Sequence, residues 1–273
     1  MYYQFFYIIL FVIGSSIGSF LNVIRFRYPK AISIVKPRSF CPSCENQIPF
    51  YLNVPILSWV FLRGKCFYCE SKIPFSYPFV ECLTGSLFVL NSFFSGSIAY
   101  EYNLNLIGLN IFTVILLIAS LIDFDNMIIP NELVLVGSIL GIIINLLALK
   151  YFSIESIFYI LYKFILISFL GAVLLEFLNF LISLIIKKEA FGFGDIKYLF
   201  MIGCWLGLKG MICTFLMSMY IGGIVTIILI LFKKVQSSGK IPFGPYLSIS
   251  AYILAAIGPD KVVMFFRNFY GIR

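Results

Sequence analysis

Residues 111–123 read IFTVILLIASLID, twelve uncharged and mostly apolar residues that end on an aspartate. A second aspartate, Asp195, closes the turn Gly192-Phe193-Gly194-Asp195 just before another apolar run. Only two further aspartates, Asp125 and Asp260, occur in the 273 residues. A charged carboxylate at the centre of a membrane helix costs about 2.5–3.5 kcal/mol on insertion scales, so such residues read first as functional. Two at corresponding depths point to a pair. Two carboxyls that share a site cannot both ionise easily, which leaves one proton acceptor and one proton donor at neutral pH. That pair is the minimum equipment for hydrolysing a peptide bond without serine, cysteine or metal.

The rest of the chain sets these acids in a membrane. Hydrophobic residues make up 61% of the sequence and charged residues 12%, more apolar surface than a soluble core needs. Histidine is absent, which removes Ser-His-Asp and Cys-His catalysis and every zinc site that needs an imidazole. The net charge of +8 comes from basic residues scattered between apolar segments. That pattern fits loops that set membrane orientation rather than a surface for nucleic acid. No cleavable signal peptide is expected, because the first apolar segment lacks a basic flank and a small-residue cleavage site.

A transmembrane helix needs roughly 20 apolar residues. Eight candidates follow, at about 5–26, 76–98, 103–122, 130–149, 157–186, 196–208, 211–232 and 245–259. The fifth is long enough to tilt or to begin along the interface. The sixth and eighth are short and need other helices beside them. The sequence therefore predicts an all-α polytopic membrane protein of about eight transmembrane helices, with a small cytoplasmic zinc-ribbon-like insert between helices 1 and 2. If the polar segment after the first span is cytoplasmic, 14 of the 20 lysines and arginines share its side, and both termini lie outside. Asp123 and Asp195 then fall at the cytoplasmic ends of their helices.

The insert carries Cys41-Pro-Ser-Cys44 and Cys66-Phe-Tyr-Cys69, with 21 residues between the two halves. Each Cys-x-x-Cys turn presents two thiolates, and four close a tetrahedral shell, so Cys41, Cys44, Cys66 and Cys69 are expected to hold a structural zinc ion. A cytoplasmic location disfavours the alternative of disulfides, and a redox-active pair is a weaker third reading. A closed four-cysteine site has no open position, so this metal would fold the insert rather than react. Cys82, Cys204 and Cys213 lie in apolar runs and are expected to be ordinary core residues.

These residues together resemble the bifunctional type IV prepilin peptidases, membrane aspartyl proteases of the Gly-x-Gly-Asp class that also methylate the new N-terminus. The resemblance runs nearly end to end. It rests on Gly18-Ser-Phe-Leu-Asn22-Val23, on the cysteine insert, and on Asn53-Val-Pro55-Ile-Leu-Ser58-Trp59 with Gly64-Lys65-Cys66. It continues through Tyr77-Pro78-Phe-Val-Glu81, Ile122-Asp123-Phe-Asp125-Asn-Met-Ile-Ile-Pro130-Asn131, Gly192-Phe-Gly194-Asp195-Ile-Lys197 and Ile241-Pro-Phe-Gly-Pro245-Tyr246. The family often has an arginine just before the Tyr-Pro of the second helix, where this chain has Ser76. The resemblance implies three segments: a first transmembrane helix at 1–27, a cytoplasmic four-cysteine, methyltransferase-associated insert at 28–74, and a transmembrane aspartyl peptidase domain at 75–273.

It further implies that Asp123 and Asp195 are the catalytic acids, one activating water and the other protonating the leaving amine. Their structural alternative is a buried, hydrogen-bonded acid or a transporter's coupling site. Gly192 and Gly194 are expected to support them by close backbone approach and by conformations closed to other residues, against the plainer reading of a helix-entry turn. Lys197 is expected to neutralise charge or meet lipid phosphate. Asp125, two residues past Asp123 and about 200° round a helix from it, reads as an accessory acid. Gly64, Lys65 and Glu81 are candidates for binding S-adenosyl-L-methionine; for Glu81 the alternative is a helix-start acid paired with a basic residue, and for Gly64-Lys65 an ordinary turn. The implied substrates are type IV prepilins or pseudopilins, cut after the glycine of a basic leader at the cytoplasmic face of the bacterial inner membrane, with membrane lipids as surroundings and no nucleic acid. The rival readings are a proton-coupled transporter and a membrane scaffold with a structural zinc site.

Overall fold

The computed structural model describes residues 2–95, 104–148, 154–187, 191–232, 241–262 and 264. The parts of the expected spans at 96–98, 103 and 149 lie outside the described residues. So do Lys150, Lys188, Lys233, Lys234, Lys240, Arg267 and Arg273. Among the described residues the fold is all helical, with two isolated antiparallel bridges, Phe40 with Gln47 and Lys65 with Lys72. The helices are α1 (Tyr2–Arg27), α2 (Leu57–Phe61), α3 (Ser76–Phe94), α4 (Leu104–Asn126), α5 (Asn131–Leu147), α6 (Ile154–Ile160), α7 (Ile167–Ile186), α8 (Phe193–Leu231) and α9 (Gly244–Ile257). A π-helical stretch, Leu161–Leu166, joins α6 to α7. Four segments are long and apolar enough to cross a bilayer: Gln4–Lys30, Leu104–Asn126, Ile154–Leu184 and Phe193–Leu231. Two shorter apolar helices are Asn131–Leu147 and Gly244–Ile257.

The chain forms two compact units, Met1–Leu106 and Ile107–Arg273. Within the first unit, α3 lies against α1. A side chain at Gly14 would put its Cβ 2.8 Å from Gly85 Cα, and one at Gly18 would put it 2.8 Å from Glu81 Cα. Small residues four apart let two helix backbones approach where lipid supplies no hydrophobic drive. The insert between these helices holds the two cysteine knuckles.

The second unit is built on α4, α5, α8 and α9, whose shared core includes Phe112, Ile115, Ala119, Val134, Tyr198, Leu199, Met201, Ile202, Leu247 and Ala251. Gly137 and Gly141 of α5 repeat the four-residue spacing. Added Cβ atoms there would run into Met201 Sδ and, at 2.7 Å, Trp205 Cδ1. Trp205 stacks on Phe112, ring centroids 4.7 Å apart, and donates to the Gly137 carbonyl at 2.8 Å.

α8 is not one rod. Gly207 interrupts it at φ 70°, ψ 179°, and an added Cβ at Gly203 would lie 3.2 Å from Met211 Sδ. Residues eight apart on a straight helix stand about 12 Å apart along the axis, so the chain doubles back at Gly207. The rings of Phe191 and Phe215, 5.2 Å apart, belong to the same hairpin. The break frees helical carbonyls, and Asn145 of α5 takes up two of them, donating its amide to Cys204 O at 3.2 Å and Trp205 O at 3.3 Å. The cysteines outside the insert differ from a uniform core: Cys204 is buried, Cys213 half-buried and Cys82 exposed on the apolar helix α3.

Candidate active site

Asp123 occupies the last turn of α4. That helix stops because Met127 adopts φ 55° and returns its N–H to Asp123 O at 2.8 Å, and Pro130 then precedes α5. The Asp123 carboxyl is buried, 5% exposed. Its Oδ2 accepts the backbone N–H of Gly244 at 2.8 Å, and Gly244 is the first residue of α9. A Cβ at Gly244 would fall 2.7 Å from that same oxygen. Glycine is what lets α9 come this close.

Asp195 stands in the first turn of α8, with its N–H on Gly192 O at 3.0 Å. Its carboxyl interacts electrostatically with Asp123, so the two motifs meet in one unit. The turn before it is clamped from α7. Asn179 donates to Phe191 O at 3.1 Å and accepts from Phe191 N at 3.1 Å. Beside Asp195 lies a cavity of about 150 Å³ walled by apolar side chains, among them Leu175, Leu178, Phe191, Phe215 and Met219.

The supporting residues are arranged differently from expectation. Gly192 has φ −70° and ψ 143°, an ordinary extended conformation, and Gly194 is helical. Neither backbone is closed to other residues, so that part of the expectation is corrected. Both belong to a helix entry, and an added Cβ would meet only ordinary contacts there, 3.4 Å from Asp195 Oδ2 at Gly192 and 3.9 Å from Ile129 Cβ at Gly194. Lys197 donates to Asn131 Oδ1 and lies 5.0 Å from the Phe193 ring, tying the start of α8 to the start of α5. Asp125 is exposed while Asp123 is buried, as the helical rotation between them requires.

Sequence reasoning missed Asn179, and it missed a chain of polar groups under Asp123. Ser248 Oγ donates to Gly244 O at 2.9 Å. Its one proton is then committed, so at 2.8 Å it is Tyr198 whose hydroxyl donates to Ser248. Tyr198 is fully buried. The available signal was a phenol and a serine in otherwise apolar runs.

In the first unit, the four cysteine sulfurs lie within 4.8 Å of one another, and Cys41 Sγ stands 3.8 Å from Cys69 Sγ. A tetrahedron with Zn–S bonds of about 2.3 Å has S···S edges of about 3.8 Å, so the donor set fits zinc. Burial pushes the Cys41 thiol up. The N–H groups of Ser43 and Cys44 with the Ser71 and Cys66 side chains outweigh it and bring the thiol to about 6. The knuckles share one geometry. Cys41 N donates to Asn46 O and Cys66 N to Ser71 O, while Glu45 and Glu70 follow at φ 58° and 54°. They also share a sequence, Cys-x-x-Cys-Glu-x-x-Ile-Pro-Phe at 41–50 and 66–75.

Glu81 is 8% exposed and accepts from Ile56 N at 2.7 Å, not from a basic side chain. It lines a cavity of about 450 Å³ bounded by α1, the insert and α3. Gly64 and Lys65 are not among the lining residues. Gly64 instead turns at φ 69° under Trp59, whose ring atom Cζ2 a Cβ would meet at 2.9 Å, and Lys65 lies 3.9 Å from the Glu70 carboxylate. Ser76 does not line the cavity either.

Both units match known families. Residues 12–94 match the bacterial Peptidase A24 N-terminal domain, and residues 110–227 match the type IV leader peptidase family. A prepilin leader peptidase/N-methyltransferase of Stutzerimonas stutzeri is 31% identical, across 94% of this chain and 92% of that protein. The chain belongs to the type IV leader peptidase family. Other relatives carry the same name: one from Pseudomonas aeruginosa is 31% identical over 96% of this chain and 93% of its own length, and one from Neisseria gonorrhoeae is 30% identical over 89% and 87%. No solved structure matches the chain. In this leader peptidase family member, Asp123 falls inside the second matched segment together with Asp195, and all four cysteines fall inside the first.

Proposed function

We propose that the chain is a prepilin leader peptidase that also N-methylates the new N-terminus, working at the cytoplasmic face of a bacterial inner membrane. Full-length similarity to proteins bearing that name supports both activities. The observation that carries the peptidase chemistry is that Asp123 and Asp195, at two helix ends of one unit, interact electrostatically. The ionised member of the pair takes a proton from a water held between them as the water oxygen bonds to the scissile carbonyl carbon. The protonated member gives its proton to the carbonyl oxygen. Collapse of the tetrahedral centre breaks the C–N bond and returns a proton to the departing amine. Such coupled acids titrate as a pair, so neither role belongs to one residue. The apolar cavity beside Asp195 suits an apolar side chain next to the scissile bond. A type IV prepilin or pseudopilin offers a basic leader ending in glycine and an apolar helix, which matches a polar face above a bilayer.

Eight crossing segments follow when α8 is taken as two helices and α6 to α7 as one. Cys41, Cys44, Cys66 and Cys69 would hold a structural zinc ion that folds the insert. S-adenosyl-L-methionine supplies an electrophilic methyl group when bound. The protein's part is then to seat that donor and to present a deprotonated amine. Asp123→Ala and Asp195→Ala, each purified in detergent, are expected to abolish cleavage of a prepilin peptide after its leader glycine. Mass spectrometry of the product scores methylation separately. Cleavage retained in either variant rejects the paired-acid mechanism.

A further inference from the structure

The cavity of about 450 Å³ in the first unit has the size of a small-ligand site, and three features of its wall call for a ligand. Asn22, 3% exposed, spends its amide N–H on Tyr77 O at 3.1 Å, and its Oδ1 is buried without a donor. Buried polar atoms are nearly always paired, so an orphaned acceptor on a cavity wall points to a missing donor group. Glu81 presents a buried carboxylate held by Ile56 N–H and the Ser19 hydroxyl. A buried carboxylate held only by neutral donors favours a cationic guest. Ile56 itself is strained. At φ 63°, ψ −53°, with Leu57 N on Pro55 O at 2.6 Å, it centres a γ-turn of the rare positive-φ kind. Strain of this sort persists where surrounding contacts enforce it and clusters at ligand sites. Here Glu81 grips the strained N–H.

The remaining walls include Phe26, Phe40, Trp59 and Tyr77, rings that can stack on a planar base and face a cation. We propose that this cavity seats the methyl donor, a sulfonium nucleoside, with the Glu81 carboxylate facing its positive charge and Asn22 Oδ1 accepting a hydroxyl or amine proton. The assignment rests on the N-methylation reading. The new N-terminal amine of the pilin is the competing guest. It offers no flat base for the rings on this wall.

Ultraviolet cross-linking of methyl-labelled S-adenosyl-L-methionine to the full-length, zinc-loaded protein, followed by peptide mapping, tests the site. Label is expected on the peptides that carry Trp59 and Tyr77. Calorimetry is expected to show Glu81→Gln, which keeps an acceptor for Ile56 N–H, binding the donor at least tenfold more weakly, with zinc content and thermal unfolding reporting whether the variant is folded. If Glu81→Gln does not fold, the map on the unaltered protein decides. Label confined to residues 107–273 while the enzyme methylates its product overturns this inference alone, as does wild-type affinity in folded Glu81→Gln. A protein that neither binds the donor nor methylates a mature pilin peptide overturns the N-methylation reading and the inference with it.

Discussion

Gly244 is where one absent side chain matters most. Its N–H is the hydrogen-bond donor to Asp123 Oδ2, and its missing Cβ leaves room for that oxygen. Gly244→Ala would put a methyl 2.7 Å from the carboxylate, so either α9 shifts or Asp123 turns. A misplacement of about 1 Å at a reacting group costs on the order of 100-fold in rate. Leader cleavage by Gly244→Ala is expected to fall by about that factor in kcat, with KM for the prepilin peptide little changed. An unchanged kcat would mean that Gly244 only packs. Asp123 and Asp195 were legible because charge in an apolar run is conspicuous. Asn179, Ser248 and Tyr198 were not, since each is an unremarkable polar residue until the fold brings Phe191 or Gly244 alongside. The special backbone expected of Gly192 and Gly194 is not adopted, because the turn enters α8 through ordinary extended and helical conformations that composition alone does not reveal.

At the scale of elements, the break in α8 decides whether Phe193–Leu231 is one crossing or two. The sequence marks it only by a dip in hydropathy near Lys209, and the expected gap between spans 196–208 and 211–232 falls two residues past Gly207. Its conformation, φ 70° and ψ 179°, lies in a region essentially confined to glycine, where other residues cost about 1–3 kcal/mol. Space is not the obstacle, since the nearest atom to an added Cβ, Phe164 Cε1, is 3.7 Å away. Gly207→Ala is therefore expected to lower unfolding stability by about 1–3 kcal/mol, measured by denaturation in mixed micelles. An alanine variant as stable as the wild type would show that the hairpin does not need this backbone. The close helix pairs were also legible in hindsight. Gly14-Ser-Ser-Ile-Gly18 and Gly137-Ser-Ile-Leu-Gly141 are small-residue repeats of the kind that seat neighbouring helices, and each unit uses one.

Across the whole molecule, exposed apolar surface and loop charge argue for one arrangement in the bilayer. Phe169, Leu170, Val173, Leu174, Phe177 and Phe180 of α7 are all more than half exposed except Val173, at 50%, a stripe that water would not tolerate and lipid would cover. The basic residues then choose the direction. Lys187, just past α7, falls on the side crowded with lysine and arginine, and Lys209, just past the Gly207 break, falls on the sparse side with Asp260 as its ion-pair partner. Asp195 begins the helix that runs from the first side towards the second, so the proposed orientation puts the acid pair at the cytoplasmic end. Lys187→Cys and Lys209→Cys, each expressed in whole cells, separate the two faces. A membrane-impermeant maleimide added outside is expected to label Lys209→Cys and to leave Lys187→Cys unlabelled until the inner membrane is opened. The opposite pattern would put Asp123 and Asp195 on the far side of the bilayer from a leader retained in the cytoplasm, and leader cleavage at that face would fail as the function.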